Sequence, residues 1–409
     1  MRLELAAELR GLYEAALLND VVPFWTSWGA DRKYGGIMTA LDRDGTVLDT
    51  DKGMWQQGRF AWLMATLHQN VEPRAEWLDL ARQTIEFIRR YGFDHDGRMF
   101  FQVTREGRPL RKRRYAYAEA FTTLALAAYA RAAGDEAAGT EARELFGRFL
   151  RYTTTPGLLE SKYLAATRRV KGLAVPMITL NVAQVLRETI GDTRCDAVID
   201  SCISEIERDF VKPEVEAVLE TVGPRGELLD HFDGRTLNPG HAIEAAWFIL
   251  HEARRRDRDP DLIRLGTTML DWMWKRGWDT EYGGLFYFRD VSGLPVQEYW
   301  HDMKFWWPHC EATIATLLAY RLTGDQRYAR WHRQVHDWSF EHFADPEHGE
   351  WFGYVHRDGR LSVRLKGNLW KGPFHLPRML FYCSRLSIEL PAIAGSASNP
   401  PITRPDAVS

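Results

Sequence analysis

Two hydrophobic patterns alternate along the chain, and together they predict repeated structural units. In the first pattern, a short run of alternating apolar and polar residues leads into a glycine turn, which predicts a β-hairpin. The runs recur roughly every 60 residues. They begin at positions 36, 97, 157, 226, 283 and 349, and the clearest four are Gly35–Gly45, Gly97–Gly107, Gly283–Gly293 and Gly349–Gly359.

Between these runs the apolar residues follow a helical spacing, with two helical stretches in each interval, as in 54–70 and 77–91. Two helices and a loop, six times over, predict an all-α fold, the (α/α)6 barrel. This is a closed toroid of inner and outer helices with short β-hairpins in the loops at one mouth. An open helical solenoid is the alternative. We expect one domain over residues 1–391 and a disordered tail, rich in Ser, Pro and Ala, over residues 392–409.

Composition narrows the class of protein. The 409 residues are 45% hydrophobic and 27% charged, as in ordinary globular chains, and a net charge of −3 gives little support to a nucleic-acid or membrane partner. The N-terminus lacks the apolar core of a signal peptide, and no apolar run reaches membrane-spanning length. The four cysteines have no metal-binding spacing. We therefore expect a cytoplasmic protein without a metal site.

Polar residues recur at the starts of the predicted inner helices. In a toroid these helices begin at the same mouth, so the residues predict one shared site. They are Arg59, Tyr115, Glu119, Asn181, His241, Glu244, His309, Glu311, His375 and Arg378.

The most informative of these starts is the segment Asn238–Trp247. Asn238 and Pro239 are helix-start residues, which places His241 in the first turn of a helix. Glu244 lies three residues later, on the same face. Because the partial positive charge of a helix N-terminus disfavours imidazolium, we expect a neutral His241 that can act as a general base. The alternative is a buried structural histidine with a capping carboxylate.

Several of these segments resemble the N-acylglucosamine 2-epimerase family. The resemblance runs from the first hairpin and Trp55–Arg59 to Phe374–Arg378. It is strongest over Asn238–Leu250, Trp278–Phe288, Met303–Ala312 and Gly349–Tyr354. It implies the (α/α)6 barrel that the repeat count also predicts. It further implies an isomerase that interconverts N-acetylglucosamine and N-acetylmannosamine by moving a proton at C2.

The resemblance also implies roles for individual residues. His241 and His375 match the two catalytic histidines, and Arg59 matches an arginine near the reacting carbonyl. Glu244 and Glu311 match carboxylates that orient the histidines or bind hydroxyls. The residues implied to line the pocket are Asn181, Trp306, Trp307, His309 and Tyr115. His309 either contacts a sugar hydroxyl or hydrogen-bonds a neighbouring group.

For cofactors and partners, the resemblance implies a small-molecule sugar substrate, a homodimer and no cofactor or metal in the chemistry. ATP is implied as an allosteric activator, although the chain has no Walker A sequence. Outside the motifs, His332 and His336 are spaced i, i+4. This spacing mimics a metal site, but we expect a solvated helix face because no third ligand is evident.

Three other functions remain open. The nearest is an aldose–ketose isomerase or 2-epimerase of the same family, acting on mannose or cellobiose. A glycoside hydrolase would use two carboxylates among Glu244, Glu311 and Asp302, but it leaves the paired histidines unexplained. A non-enzymatic binding protein leaves the whole acid–base set unexplained.

Overall fold

The computed structural model describes residues 3–164 and 166–388, and helices dominate this part of the chain. The expected tail, residues 392–409, lies outside it. The long helices are α1 (Leu3–Ala15), α2 (Met54–Asn70), α3 (Ala75–Tyr91), α4 (Tyr117–Ala133), α5 (Glu136–Thr154), α6 (Ala174–Ile190), α7 (Cys195–Glu205), α8 (Pro239–Arg255), α9 (Pro260–Gly277), α10 (Trp306–Thr323), α11 (Gln326–Phe343) and α12 (His375–Ile388).

Four shorter helical segments extend the ends of two of these helices. Helix α1 is followed directly by the π-helical segment Ala16–Val21, the α-helical segment Val22–Phe24 and the π-helical segment Trp25–Gly29. Helix α7 continues into the π-helical segment Ile206–Phe210. A 3-10 turn at Pro213–Val215 and a short helix at Phe232–Arg235 lie in the loop that follows α7.

The long helices pack in consecutive pairs of one inner and one outer helix. Helices α2, α4, α6, α8 and α10 each pack against the helix that follows. The inner helix α4 is buried at every residue from Ala118 to Ala130, because neighbours surround it. The outer helix α3 instead buries a single stripe, as an amphipathic helix does. The predicted (α/α)6 toroid is confirmed.

The first helix of the chain completes the last pair. Inner helix α12 packs against α1, which serves as its outer partner. Successive inner helices from α2 to α12 also contact one another around the ring. Phe374, just before α12, packs edge-to-face against Trp62 of α2 at 5.4 Å between ring centroids. The ring is therefore closed between its last and first inner helices.

Short antiparallel strands lie in the loops at the mouth where the inner helices begin. They are β1 (Ala40–Leu41), β2 (Val47–Asp49), β3 (Lys52–Gly53), β4 (Gln102–Val103), β5 (Pro109–Arg111), β6 (Lys171–Gly172), β7 (Val211–Lys212), β8 (Ala217–Val218), β9 (Thr221–Val222), β10 (Thr236–Leu237), β11 (Arg289–Asp290), β12 (Lys304–Phe305) and β13 (Tyr354–Val355).

These strands form two kinds of ladder. The pairs β1–β2, β4–β5 and β7–β8 are local hairpins. The pairs β3–β4, β6–β9, β10–β11 and β12–β13 join the segment before one inner helix to the loop of the next repeat. The hairpin predicted for Gly283–Gly293 is therefore wrong, because β11 pairs with β10. In Gly349–Gly359, β13 pairs mainly with β12 and makes one local bridge, from Val355 to Leu361.

A buried Asp–Lys–Arg cluster, which we call an inter-repeat lock, recurs at three junctions of the ring. In each lock the aspartate pairs with a fully buried lysine and with an arginine from the next repeat. At the junction of the last and first repeats, Asp345 lies 2.8 Å from Lys366 Nζ and accepts two hydrogen bonds from Arg43, at 2.7 and 2.8 Å. The other two locks are Asp31–Lys52–Arg105 and Asp279–Lys304–Arg357.

Two histidines of α11 have a different environment from the solvated helix face that the sequence predicts. His332 and His336 are buried rather than solvated. The hydroxyl of Tyr13, on α1, lies 3.1 Å from His332 Nε2 and 2.9 Å from His336 Nδ1. The Tyr13 side chain thus contacts both rings, and His332 Nδ1 lies 3.1 Å from the Thr313 carbonyl oxygen of α10.

The four cysteines are buried and unpaired. Among the described residues, no helix has both the length and the apolar character needed to cross a membrane.

Candidate active site

A cavity of about 690 Å³ opens at the mouth where the inner helices begin. Its walls combine aromatic rings with a few charged groups, a composition typical of small-molecule sites. The charged and histidine side chains that line it are Arg59, Lys162, Glu220, His241, Glu244, His375 and Arg378. The predicted convergence of helix starts on one site therefore agrees with the position of the cavity.

His375 is the first residue of α12, and its ring is fixed by a buried carboxylate. Its Nδ1 lies 2.7 Å from Oε1 of Glu311, which is fully buried. Because a carboxylate only accepts hydrogen bonds, Nδ1 must carry the proton, which leaves Nε2 to exchange a proton with a ligand. Burial, followed by the nearby Arg378 guanidinium, holds the pKa of His375 well below its usual value.

Arg378 joins two carboxylates from different helices. Its Nη2 donates a hydrogen bond to Oε1 of Glu244 and lies 2.8 Å from Oε2 of Glu311. Glu311 Oε2 also accepts a 2.8 Å hydrogen bond from the indole of Trp247. Glu244, Glu311 and His375 present ligand atoms within 4.8 Å of one another, a spacing that could hold a cation. The guanidinium instead balances both carboxylates, so these residues do not resemble a metal site.

His241 lies in the first turn of α8, as predicted, and has a different carboxylate partner. Asn238 caps the helix by accepting the backbone N–H of His241 at 3.2 Å. The two carboxylate oxygens of Glu220 lie 3.0 and 3.1 Å from His241 Nδ1. Burial alone would lower the pKa of His241, but the charge and hydrogen bond of Glu220, together with the charges of Glu244 and Glu311, outweigh burial and raise it. This direction is opposite to the lowered pKa that the helix start predicts for His241, because carboxylates face its ring.

Arg59 is buried on α2 and is surrounded by aromatic rings. Its guanidinium carbon lies 4.8 Å from the ring centroid of Trp55, 4.1 Å from that of Phe121 and 4.7 Å from that of Phe374. Its Nε has no hydrogen-bond partner among the described residues. Burial, together with the charge of Arg378, lowers the pKa of Arg59 to about 9. Arg59 thus remains charged at neutral pH, with donors available to a ligand.

Aromatic side chains connect these polar groups. The ring of Trp307 lies 5.0 Å from that of His241 and 5.7 Å from that of His375, centroid to centroid. Trp306 and Tyr115 also line the cavity, as predicted. The indole N–H of Trp306 is buried and has no acceptor among the described residues. It is therefore a donor that a bound hydroxyl can use.

Two of the predicted pocket residues do not line the cavity. His309 is fully buried, with its ring stacked on Trp338 at 4.7 Å. Its Nε2 accepts the Leu285 N–H at 2.9 Å and its Nδ1 donates to the Phe305 carbonyl at 2.6 Å, while burial lowers its pKa to about 3. Both ring nitrogens are thus engaged by backbone. Asn181 is buried on α6, where Ala174, Met177 and Ile178 line the cavity instead.

Sequence reasoning missed Glu220 and the bridging role of Arg378. Glu220 lies in the loop between β8 and β9, outside any helix start, so neither periodicity nor capping points to it. Arg378 lies at a predicted helix start, but its two glutamate partners come from other helices. A signal was available there, because a buried arginine needs carboxylates to balance its charge.

Taken together, the fold and the cavity define a class of protein. Two histidines, each oriented by a carboxylate, share one aromatic cavity with a buried arginine, at the mouth of a helical toroid. This arrangement is typical of an acid–base enzyme.

Comparison with known proteins identifies the family. The chain belongs to the N-acylglucosamine 2-epimerase (GlcNAc 2-epimerase) family, whose model matches residues 35–375. It is 38% identical to the N-acylglucosamine 2-epimerase of Bos taurus over 407 residues, which cover 95% of this chain and 96% of the bovine protein. The protein is thus an enzyme of the isomerase class, an epimerase, and the relatives support a sugar 2-epimerase.

Solved structures share the fold. Cellobiose 2-epimerase from Bacillus thermoamylovorans superposes with a TM-score of 0.81 at 20% identity, covering 93% of this chain and 99% of that one. A D-mannose isomerase gives a TM-score of 0.78 at 19% identity, covering 92% and 97%. At these identities the likeness establishes the toroid and carries no statement about substrate.

Proposed function

We propose that the protein interconverts N-acetylglucosamine and N-acetylmannosamine by proton transfer at C2 of the ring-opened sugar, with His241 and His375 as the two acid–base groups. The substrate class, an N-acylglucosamine, is taken from the bovine relative, which matches nearly the whole chain at 38% identity, and the particular sugar pair is taken from the family resemblance. The mechanism is taken from the groups that line the cavity.

The chemistry begins with an open-chain aldehyde, because only then is the C2 proton acidic. A base removes this proton, the C2–H electron pair forms a C1=C2 bond, and negative charge develops on O1. A positive donor near O1 stabilises that charge. Arg59 is the candidate, since it is charged, buried and still has donors to offer.

Inversion requires the proton to return on the opposite face of C2, and therefore a second acid–base group. The observation that carries the proposal is that two histidines line one cavity in opposed electrostatic environments. The pKa of His375 is lowered by burial and Arg378, which suits a base. The pKa of His241 is raised by Glu220, which suits an acid. Such a divergence of pKa values is how two similar groups take complementary roles.

One full turnover leaves the two histidines with exchanged protonation states. Nε2 of His375 has gained the proton from C2, and Nε2 of His241 has given its own proton to the other face. The reverse reaction starts from this state. For another forward turnover, the two rings must exchange protons with solvent.

The 2-acetamido group limits the reaction to epimerisation, because no C2 hydroxyl is present to become a ketone. With mannose or cellobiose the same residues could also support an aldose–ketose isomerisation. Substrate choice therefore separates the proposal from its nearest alternative within the family.

The proton transfers need no cofactor. We further propose that the protein is cytoplasmic, which the free state of all four cysteines supports. We also propose that it forms a homodimer, on the basis of the family resemblance. ATP as an allosteric activator is part of the proposal, on the basis of the family resemblance alone.

The test is proton NMR of N-acetylmannosamine in deuterated water with purified protein, with and without ATP. We expect N-acetylglucosamine carrying deuterium at C2. His375→Asn should abolish its formation, whereas His356→Asn, at an exposed position, should not. If the protein converts mannose in a parallel tube but leaves N-acetylmannosamine unchanged, it belongs to the free-sugar branch of the family. An active His375→Asn variant would refute the two-histidine mechanism.

A further inference from the structure

The two histidines of the site differ in how their carboxylate partners are balanced. Glu311, the partner of His375, shares its charge with Arg378 and with the indole of Trp247. Glu220, the partner of His241, directs both carboxylate oxygens at Nδ1, at 3.0 and 3.1 Å. The difference makes the two histidines unequal before any substrate binds.

We propose that Glu220 is a positioning residue that keeps His241 as the protonated member of the pair, with Nε2 directed at the sugar. The proposal rests on the proposed function, since it assigns His241 the role of acid in the two-histidine reaction. It adds a residue that the helix-start motifs do not contain.

The backbone holds Glu220 in place independently of its side chain. The Glu220 carbonyl accepts the Leu173 N–H at 3.0 Å, and the next residue, Thr221, pairs with Gly172 in the β6–β9 ladder. Both contacts tie the loop to the start of α6, beside the cavity. The carboxylate is therefore presented by a fixed segment, as an orienting group requires.

The other charged groups around His241 do not supply the same effect. Glu244 from its own helix and Glu311 from α10 both favour its protonated form, but each is paired with Arg378. The remaining charged or titratable groups that line the cavity are not carboxylates, so they do not favour a protonated His241. They are His375 and Arg378 from α12, Arg59 from α2, and Lys162 at the cavity wall. Glu220 is thus the carboxylate in hydrogen-bond contact with His241.

The asymmetry also gives the pair a defined resting state. After one turnover His241 is neutral and His375 is protonated. The Glu220 carboxylate then favours uptake of a solvent proton by His241, while Arg378 and burial favour proton loss from His375. The enzyme thereby returns to the state from which it began.

The test replaces Glu220 with Gln, which can still accept from Nδ1–H but carries no charge. Histidine-selective NMR titration of the protein without substrate should show the pKa of His241 lowered by about one unit or more. The alkaline limb of the kcat/KM profile for N-acetylmannosamine should move to lower pH by a similar amount. Glu220→Asp should restore part of both shifts, and Glu214→Gln, exposed in the same loop, should cause neither.

An unchanged His241 pKa in Glu220→Gln would overturn the proposal. So would a lowered pKa with an unmoved alkaline limb, because Glu220 would then act on the ring without affecting the reaction. If the wild-type protein does not epimerise N-acetylmannosamine, the proposed substrate fails. The titration, which needs no substrate, then decides whether Glu220 controls the charge of His241.

Discussion

Nδ1 of His375 and Oε1 of Glu311 lie 2.7 Å apart, and this contact determines which ring nitrogen faces the cavity. Glu311→Gln should disturb it, because the amide N–H₂ group would face Nδ1 once the amide oxygen accepts from Arg378. The neutral ring would then carry its proton on Nε2 and could not act as a base there. We expect kcat to fall by roughly 10²- to 10⁴-fold, measured by steady-state kinetics on N-acetylmannosamine.

The matched control for Glu311→Gln is Glu341→Gln, at an exposed position of α11. Circular dichroism should show both variants folded. An undiminished kcat in Glu311→Gln would mean that the carboxylate does not set the tautomer of His375.

Arg59 should not tolerate replacement by lysine, although the charge is kept. A lysine ammonium lacks the planar fork that fits between the rings of Trp55, Phe121 and Phe374 and reaches a developing oxyanion. We expect kcat to fall by roughly 10²- to 10³-fold in Arg59→Lys. Arg90→Lys, an exposed arginine over the ring of Tyr91, is the comparison that should retain full activity. Equal kcat values for the two variants would remove Arg59 from the mechanism.

Buried histidines should make the protein sensitive to acid. Burial lowers the pKa of His336 to about 4, whereas an unfolded histidine has a pKa of about 6.5. The unfolded chain therefore binds more protons as the pH falls from 6.5 to 4, and stability is lost across this window, by about 1.4 kcal/mol per pH unit for one such histidine. Above pH 6.5 the contribution is fully present.

The variant His336→Gln isolates this effect, since the amide can still bond to the Tyr13 hydroxyl. Urea unfolding at several pH values should show a shallower decline between pH 6.5 and 4 than in the wild type. A parallel decline in the two proteins would indicate that His336 is freely protonated in the fold.

The stability that the inter-repeat lock provides at the junction of the last and first repeats should depend far more on Asp345 than on Arg43. Asp345→Asn leaves the fully buried Lys366 ammonium without its counter-charge, which should destabilise the fold by about 3–5 kcal/mol. Arg43 is partly exposed and its charge is screened by solvent, so Arg43→Gln should destabilise the fold far less than Asp345→Asn. Urea unfolding of both variants, beside the exposed Asp358→Asn, provides the measurement. Equal losses from Asp345→Asn and Arg43→Gln would contradict this ranking.

Much of the toroid could be predicted from the sequence, because its inner helices carry strong signals. Each begins after a glycine-containing loop and is apolar through its length, so helix starts and repeat count both emerge from periodicity. The pairing of β11 with β10 could not be predicted in the same way. A two-residue strand has no pattern that specifies its partner, and here the partner belongs to the preceding repeat.

Helix starts in the sequence predicted that His241 and His375 would lie near one another, but they gave no sign of residues that act through a distant partner. His241 and His375 share one cavity because their helices begin at one mouth. Glu220 was missed because it lies in a loop and acts through another residue. His309 has the same local motif as His241, a proline followed by a histidine and a glutamate, yet its ring turns into the wall and bonds to backbone on both sides.

The pairing of α1 with α12 has a consequence for synthesis of the protein. The two members of the sixth helix pair are the first and last long helices in the described chain, so α1 leaves the ribosome long before its partner exists. Until α12 emerges, the apolar face of α1 has no native inner helix to cover it. The ring therefore cannot close until α12 has been synthesised, after all the other long helices of the described chain.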